Sequence, residues 1–275
     1  MSKLSPPLKA LLKSPASRPD PVPAPAGIRR VYDELAADAG RHKLGMRPWL
    51  AISTAATVTL NSPASLTLLH SVASARSSDP TSSASLIRDV GFRCISFNGI
   101  PRTINALVAL RASLPSDVIQ RLDKERKRRT RQCSDFTVEK SLGRDLFESV
   151  YGSLTARLTR KLDDAHPDLG RYIVHHHYGA LLAQSEEGFP RLLTSVVAVA
   201  CLRAQTGVGP QLLSHVYGLR KASLDGSWRR GWVYETDGEE AAARWLMTDD
   251  GAEWLLRSVD AVVEALGGAN FAATS

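Results

Sequence analysis

Apolar positions recur at helical spacing along almost the whole chain. In residues 190–220, PRLLTSVVAVACLRAQTGVGPQLLSHVYGLR, Leu192, Val196, Val199 and Ala200 mark one helix. Gly207, Gly209 and Pro210 interrupt it, and a second helix then carries His215 among apolar neighbours. Pro210 suits the first turn of that second helix, where a missing N–H costs nothing. Residues 47–76, RPWLAISTAATVTLNSPASLTLLHSVASAR, repeat the order: a small-residue helix, a break at Asn61, Ser62 and Pro63, and a second helix bearing His70. The interval from Leu50 to His70 is close to that from Leu193 to His215. The two stretches therefore read as a diverged internal duplication of a helical hairpin.

The remaining segments follow the same period. Ile28, Val31, Tyr32 and Leu35 share one face of a helix. Ser85 is expected to cap a helix over LIRDVGFRCISFNG, Gly99 and Pro101 break it, and residues 103–112 form another. Residues 143–183 read as two helices, RDLFESVYGSLTARLTRKLDDA and LGRYIVHHHYGALL, separated at His166, Pro167 and Asp168. The chain closes on EWLLRSVDAVVEAL. No alternating strand pattern persists, so the expected fold class is all-α. The expected organisation is a disordered leader over 1–27, a first repeat over 28–120, a basic polar bridge over 121–142, and a second repeat over 143–266. The second repeat holds an insertion near 223–251, which has no counterpart after His70, and a frayed tail covers 267–275.

Charge changes this picture little. There are 35 Lys and Arg against 28 Asp and Glu, a net charge of +7, which is too diffuse to predict a nucleic-acid partner. The basic run at 124–131 has Asp123 and Glu125 beside it and no aromatic within it, so it reads as a solvated helix face. Cys94, Cys133 and Cys201 have no CxxC or metal-type spacing, which fits buried thiols in a reducing compartment. No apolar run reaches the roughly 20 residues that cross a bilayer, so no membrane insertion is expected. The leader has Lys3, Lys9, Lys13 and Arg18 with no acid before Asp20, followed by a proline block. That composition resembles a mitochondrial presequence. A mitochondrial location is expected, with the cytoplasm as the alternative.

Candidate chemistry centres on His215. Gln211 lies four residues earlier and would share its helix face, and a histidine there could move a proton to or from a small ligand. The competing reading is a core histidine bonded to a backbone carbonyl. Arg102 could hold a carboxylate bidentately, or form an internal ion pair with Asp89. His70 is the first repeat's counterpart of His215. His175, His176 and His177 point about 100° apart on a helix and so cannot converge on one ion. No metal and no cofactor are expected.

These same residues carry a family resemblance. PRLLTSVVAVACLRAQTGVGPQLLSHVYGL resembles the signature helix pair of carboxymuconolactone decarboxylase-like proteins, which share the AhpD-like fold. FNGIPRTINALVALR is similar to the family's second conserved piece. GRDLFESVYG and AHPDLGRYIVHHHYGALL are similar to a fungal AhpD-like group often described as mitochondrial. The likeness covers about residues 28–266. It implies an all-helical, homo-oligomeric protein whose relatives include peroxidase-reductase partners and decarboxylases. The redox branch uses Glu…CxxCxxxH. His215 matches its terminal histidine, but Val208 and Gln211 stand at the cysteine positions, and the Glu position falls near Thr194 or Ser195. In the first repeat the cysteine positions hold Pro63 and Leu66. Disulfide cycling of that kind is therefore not expected. The decarboxylase branch often carries Gln and His in the helix equivalent to PQLLSH. The expected function is accordingly proton transfer by His215 and Gln211 on a small organic acid or lactone, with Arg102 and His70 binding substrate. The rival is a non-catalytic helical scaffold or ligand-binding protein that kept the fold.

Overall fold

The computed structural model describes residues 4–131, 136–183, 189–232 and 238–269, with the side chains at 126–131 and 136 excluded. Cys133, the side chains of most of the basic run, residues 233–237 of the expected insertion and residues 270–275 of the expected tail lie outside the described residues. In order, the helices are α1 (Pro6–Leu12), α2 (Ile28–Arg41), α3 (Met46–Thr59), α4 (Pro63–Ser74), α5 (Pro80–Asn98), α6 (Ile100–Ser113) and α7 (Ser116–Arg131). There follow α8 (Phe136–Tyr151), α9 (Thr155–Ala165), α10 (Leu169–Arg171) running into a π-helix (Tyr172–Leu182), α11 (Arg191–Gln205), α12 (Gly209–Asp225), α13 (Glu239–Leu246) and α14 (Asp249–Ala265). The described chain is all-α, with no strand.

The small-residue helices lie at the centre. Nearly every residue of α3 and of α11 is buried, because a helix with no polar face can be covered on all sides. These two pack on each other, and α5 and α14 pack against both, while α4 covers α3 and α12 covers α11. The hydroxyls on α3 are partly absorbed internally: Thr57 shares a 2.7 Å hydrogen bond with Tyr32, and Thr59 donates to the Ala55 carbonyl. A smaller apolar cluster joins α8 to the π-helix through Leu146, Phe147, Val150, Val174, Tyr178 and Leu182. Phe97, at the end of α5, packs against both clusters.

Both expected hairpins are helix–turn–helix units, with His70 on α4 and His215 on α12. Asn61 takes positive φ in the first turn, and Thr206 and Gly207 do so in the second. Two boundaries and one helix type differ from the sequence reading. The helix expected to be capped at Ser85 begins at Pro80, because the Asp79 carboxylate accepts from the Thr81 N–H and a proline at the helix start needs no partner. The single helix expected after residue 143 starts earlier, and is interrupted by a turn of 3-10 helix at Gly152–Leu154, where Gly152 takes φ of 54°. The histidine-rich stretch is a π-helix rather than an α-helix.

The expected leader is not uniform. α1 buries none of its residues, but Val22 donates its N–H to the Asn61 carbonyl and accepts from the Ser62 hydroxyl, both at 2.9 Å. The proline segment is thus laid along the α3–α4 turn. Within the expected insertion, Trp228 is fully buried in the main core.

Candidate functional site

Close backbone approach sets up the site. Gly143 on α8 faces Gly179 on the π-helix, and a Cβ on either would run into the other segment's backbone, at the Val174 carbonyl and the Glu139 carbonyl respectively. Gly218 plays the same part between α12 and α8, since a Cβ there would lie 2.8 Å from the Val150 side chain. Only glycine permits such contact. The result is a seam between the two apolar clusters, into which α8 sends Tyr151, the π-helix Tyr178, α12 His215 and α11 Arg191.

The polar groups in this seam are linked. The hydroxyls of Tyr151 and Tyr178 are 2.9 Å apart, and the Tyr151 hydroxyl lies 3.3 Å from His215 Nε2. Phe97 and Tyr151 present their rings edge-on to the imidazole, with centroids 6.1 and 5.9 Å away. The other ring nitrogen, Nδ1, is buried without a hydrogen-bond partner among the described residues. Arg191 is only 5% exposed. Its guanidinium donates to Ser149 Oγ at 2.9 Å and to Ser195 Oγ at 2.5 Å, with longer contacts of 3.4 Å to the Ser149 and Gly218 carbonyls. All of these acceptors are neutral. No carboxylate among the described residues pairs with this buried cation.

The electrostatics follow from burial. Desolvation, helped by the positive Arg191, pushes His215 from its ordinary 6.5 down to about 4, so the ring is neutral at physiological pH. Burial likewise holds the phenols of Tyr151 and Tyr178 above the ordinary tyrosine value. It pushes the Arg191 guanidinium down to about 10, opposed by the more distant Asp225, which leaves it charged. Asp225 itself is bound to Lys221 at 2.7 Å. Among the described residues, the seam thus sets a neutral imidazole in the field of the charged Arg191, and Tyr151 links that imidazole to Tyr178. An isolated cation in low dielectric is costly unless a counter-charge joins it.

The sequence candidates fall at separate places. His215 lies in the seam, while Gln211 is exposed on the first turn of α12. Arg102 on α6 donates to the carbonyl of Thr59 at 3.0 Å, satisfying the C-terminus of α3, and burial lowers its pKa. His70 Nε2 lies 3.1 Å from the Ser74 hydroxyl and 3.4 Å from the Pro80 carbonyl; burial lowers its pKa, the carbonyl contact opposing. Cys201 faces Cys94 across the α5–α11 contact. Among the described residues no group of three or more His, Cys, Asp and Glu could hold a metal ion. An open groove lined by Val22, Pro23, Pro63, Thr67 and Ala109 contains none of the candidates. Sequence reasoning missed Arg191, Tyr151 and Tyr178. The available signal was an arginine opening a mostly apolar helix, RLLTSVVAVACLRAQ.

No protein-family profile matches the chain, and no solved structure matches it. The chain is 29% identical over 147 residues to Peroxisomal protein 2 of Saccharomyces cerevisiae, covering 46% of this chain and 50% of the relative. It is 31% identical over 121 residues to Peroxisomal protein 2 of Schizosaccharomyces pombe, covering 44% of this chain and 52% of the relative. The chain thus spans about half the length of the curated relatives it matches. Both relatives are named for the peroxisome, which overturns the mitochondrial location expected from the leader.

Proposed function

We propose that this chain is a carboxymuconolactone decarboxylase-like, AhpD-type helical protein that takes a small organic acid or lactone at the seam. In this reading Arg191 attracts the carboxylate, His215 accepts or returns a proton, and Tyr151 and Tyr178 relay it. The observation that carries the proposal is the buried guanidinium of Arg191, which has only neutral acceptors among the described residues and whose field helps keep the His215 imidazole neutral. The α3–α4 and α11–α12 hairpins are, on the same proposal, two copies of one ancestral unit. Exposed apolar side chains on α6, at Ile100, Ile104 and Val108, and on α12, at Leu213 and Tyr217, support a homo-oligomer. The names of the relatives support residence in the peroxisome, which a full-length fluorescent fusion imaged with a peroxisomal marker tests.

The kinetic test is a panel of small carboxylic acids and lactones. His215→Ala is expected to lower turnover by roughly a hundredfold or more, the usual scale for a positioned acid–base group, while Cys201→Ser leaves it nearly unchanged. The reverse pattern would remove His215 from the mechanism. One observation favours the non-catalytic alternative: an imidazole held at about 4 is a weak base before a ligand arrives. Binding of an acid without turnover would select that ligand-binding reading.

A further inference from the structure

Cys94 on α5 and Cys201 on α11 are 107 positions apart in the chain, yet their sulfurs are 3.6 Å apart. Both are fully buried. The fold, rather than a local motif, makes this pair, and the two helices that carry it pack directly on each other. Sulfurs in van der Waals contact need to close by only about 1.5 Å to reach the roughly 2.05 Å of a disulfide bond. A third group completes the cluster. The amide of Asn98, one turn beyond Cys94, donates to Thr59 Oγ1 at 3.0 Å and lies 3.7 Å from the Cys201 sulfur. Asn98 thus places a hydrogen-bond donor beside the sulfur of Cys201.

We propose that Cys94 and Cys201 form a reversible disulfide across the α5–α11 interface when the protein meets a peroxide, giving this chain an oxidisable pair despite its lack of a CxxC motif. The Cys201 thiolate attacks the O–O bond of hydrogen peroxide and becomes a sulfenic acid, releasing one water with the proton the thiol gave up. The Cys94 sulfur then attacks the sulfenic sulfur, its proton leaves with the displaced hydroxide as a second water, and the S–S bond forms. Two thiols lose two electrons and one peroxide becomes two waters. At rest the mutual thiol contact and burial hold Cys94 well above the ordinary thiol range, so it stays protonated. The reaction is therefore slow and proceeds through opening of the α5–α11 contact. The cross-link clamps together the helix that presents Phe97 to His215 and the helix that begins at Arg191. It does not depend on the ligand reading of the seam.

The test uses full-length, natively folded protein exposed to hydrogen peroxide, then denatured, alkylated, digested and mapped by mass spectrometry. The expected result is a linked peptide pair containing Cys94 and Cys201, lighter by two hydrogen atoms than the free peptides together, with loss of alkylation at both. A dithiol reductant restores both free peptides. Cys133→Ser gives the same cross-link, and Cys94→Ser instead leaves a sulfenic acid at Cys201 that dimedone traps. Persistent alkylation of both cysteines, or linkage of either to Cys133, overturns the proposal. Mapping of the wild-type protein decides the question even where a variant fails to fold.

Discussion

An imidazole buried against Tyr151 and Phe97, in the field of a guanidinium, can take a proton only at a cost, and that cost should appear in the acid stability of the whole chain. His215 titrates near 6.5 when unfolded and near 4 when folded. Between those values the unfolded chain binds the extra proton, so its contribution to stability is complete above about pH 6.5 and is lost as the pH falls toward 4. The shift corresponds to roughly 3 kcal/mol. His70, also lowered by burial, acts in the same direction. Denaturant titrations at stepped pH should show a shallower acid loss in His215→Asn than in the wild type; equal slopes would mean that the histidine titrates normally. At this scale His215 was legible from sequence, because a lone polar residue interrupts an apolar helix face. Arg191, Tyr151 and Tyr178 were not, since each acquires its role from contacts made across long stretches of chain. Arg102 and Gln211 were nominated from local position alone, and the fold uses Arg102 to satisfy the end of α3 and leaves Gln211 in solvent.

Helices were legible as elements because the 3.6-residue period is a property of neighbouring residues. The breaks at Asn61 and at Gly207 were legible because Asn, Gly and Pro punctuate a helical run. The π-helix was not, because its wider turn depends on how Gly179 meets the α8 backbone, a contact invisible to periodicity. The start of α5 precedes the expected cap at Ser85 because Asp79 caps the helix and Pro80 opens its first turn. Glycine geometry yields a paired prediction. Gly179→Ala places a Cβ against the Glu139 carbonyl and should destabilise by about 2–4 kcal/mol. Gly209→Ala meets nothing within 4 Å and should stay within about 0.5 kcal/mol of the wild type. Chemical denaturation measures both, and equal effects would show that α8 and the π-helix do not touch as described.

The whole molecule is one main core built around α3 and α11, with a second cluster set against it and the seam between them. Among its described residues, the leader hydrogen-bonds to that body through its second half, at Val22. Removing residues 1–20 should leave the thermal midpoint within about 2 °C, whereas removing 1–26 strips Val22 and the half-buried Ala24 and Pro25 and should lower it by several degrees. Identical midpoints would place the proline segment outside the folded unit. The proposed function makes the seam, where the buried Arg191 helps lower the His215 pKa, an anion site. It is tested most directly by following the His215 ring by NMR through a pH titration, alone and with small carboxylates from acetate to muconate, in the wild type and in Arg191→Gln. The account predicts an imidazole pKa near 4 in the free protein, a rise when a carboxylate binds, and no carboxylate-dependent rise in Arg191→Gln. A free-protein value near 6.5 that no carboxylate moves would contradict it.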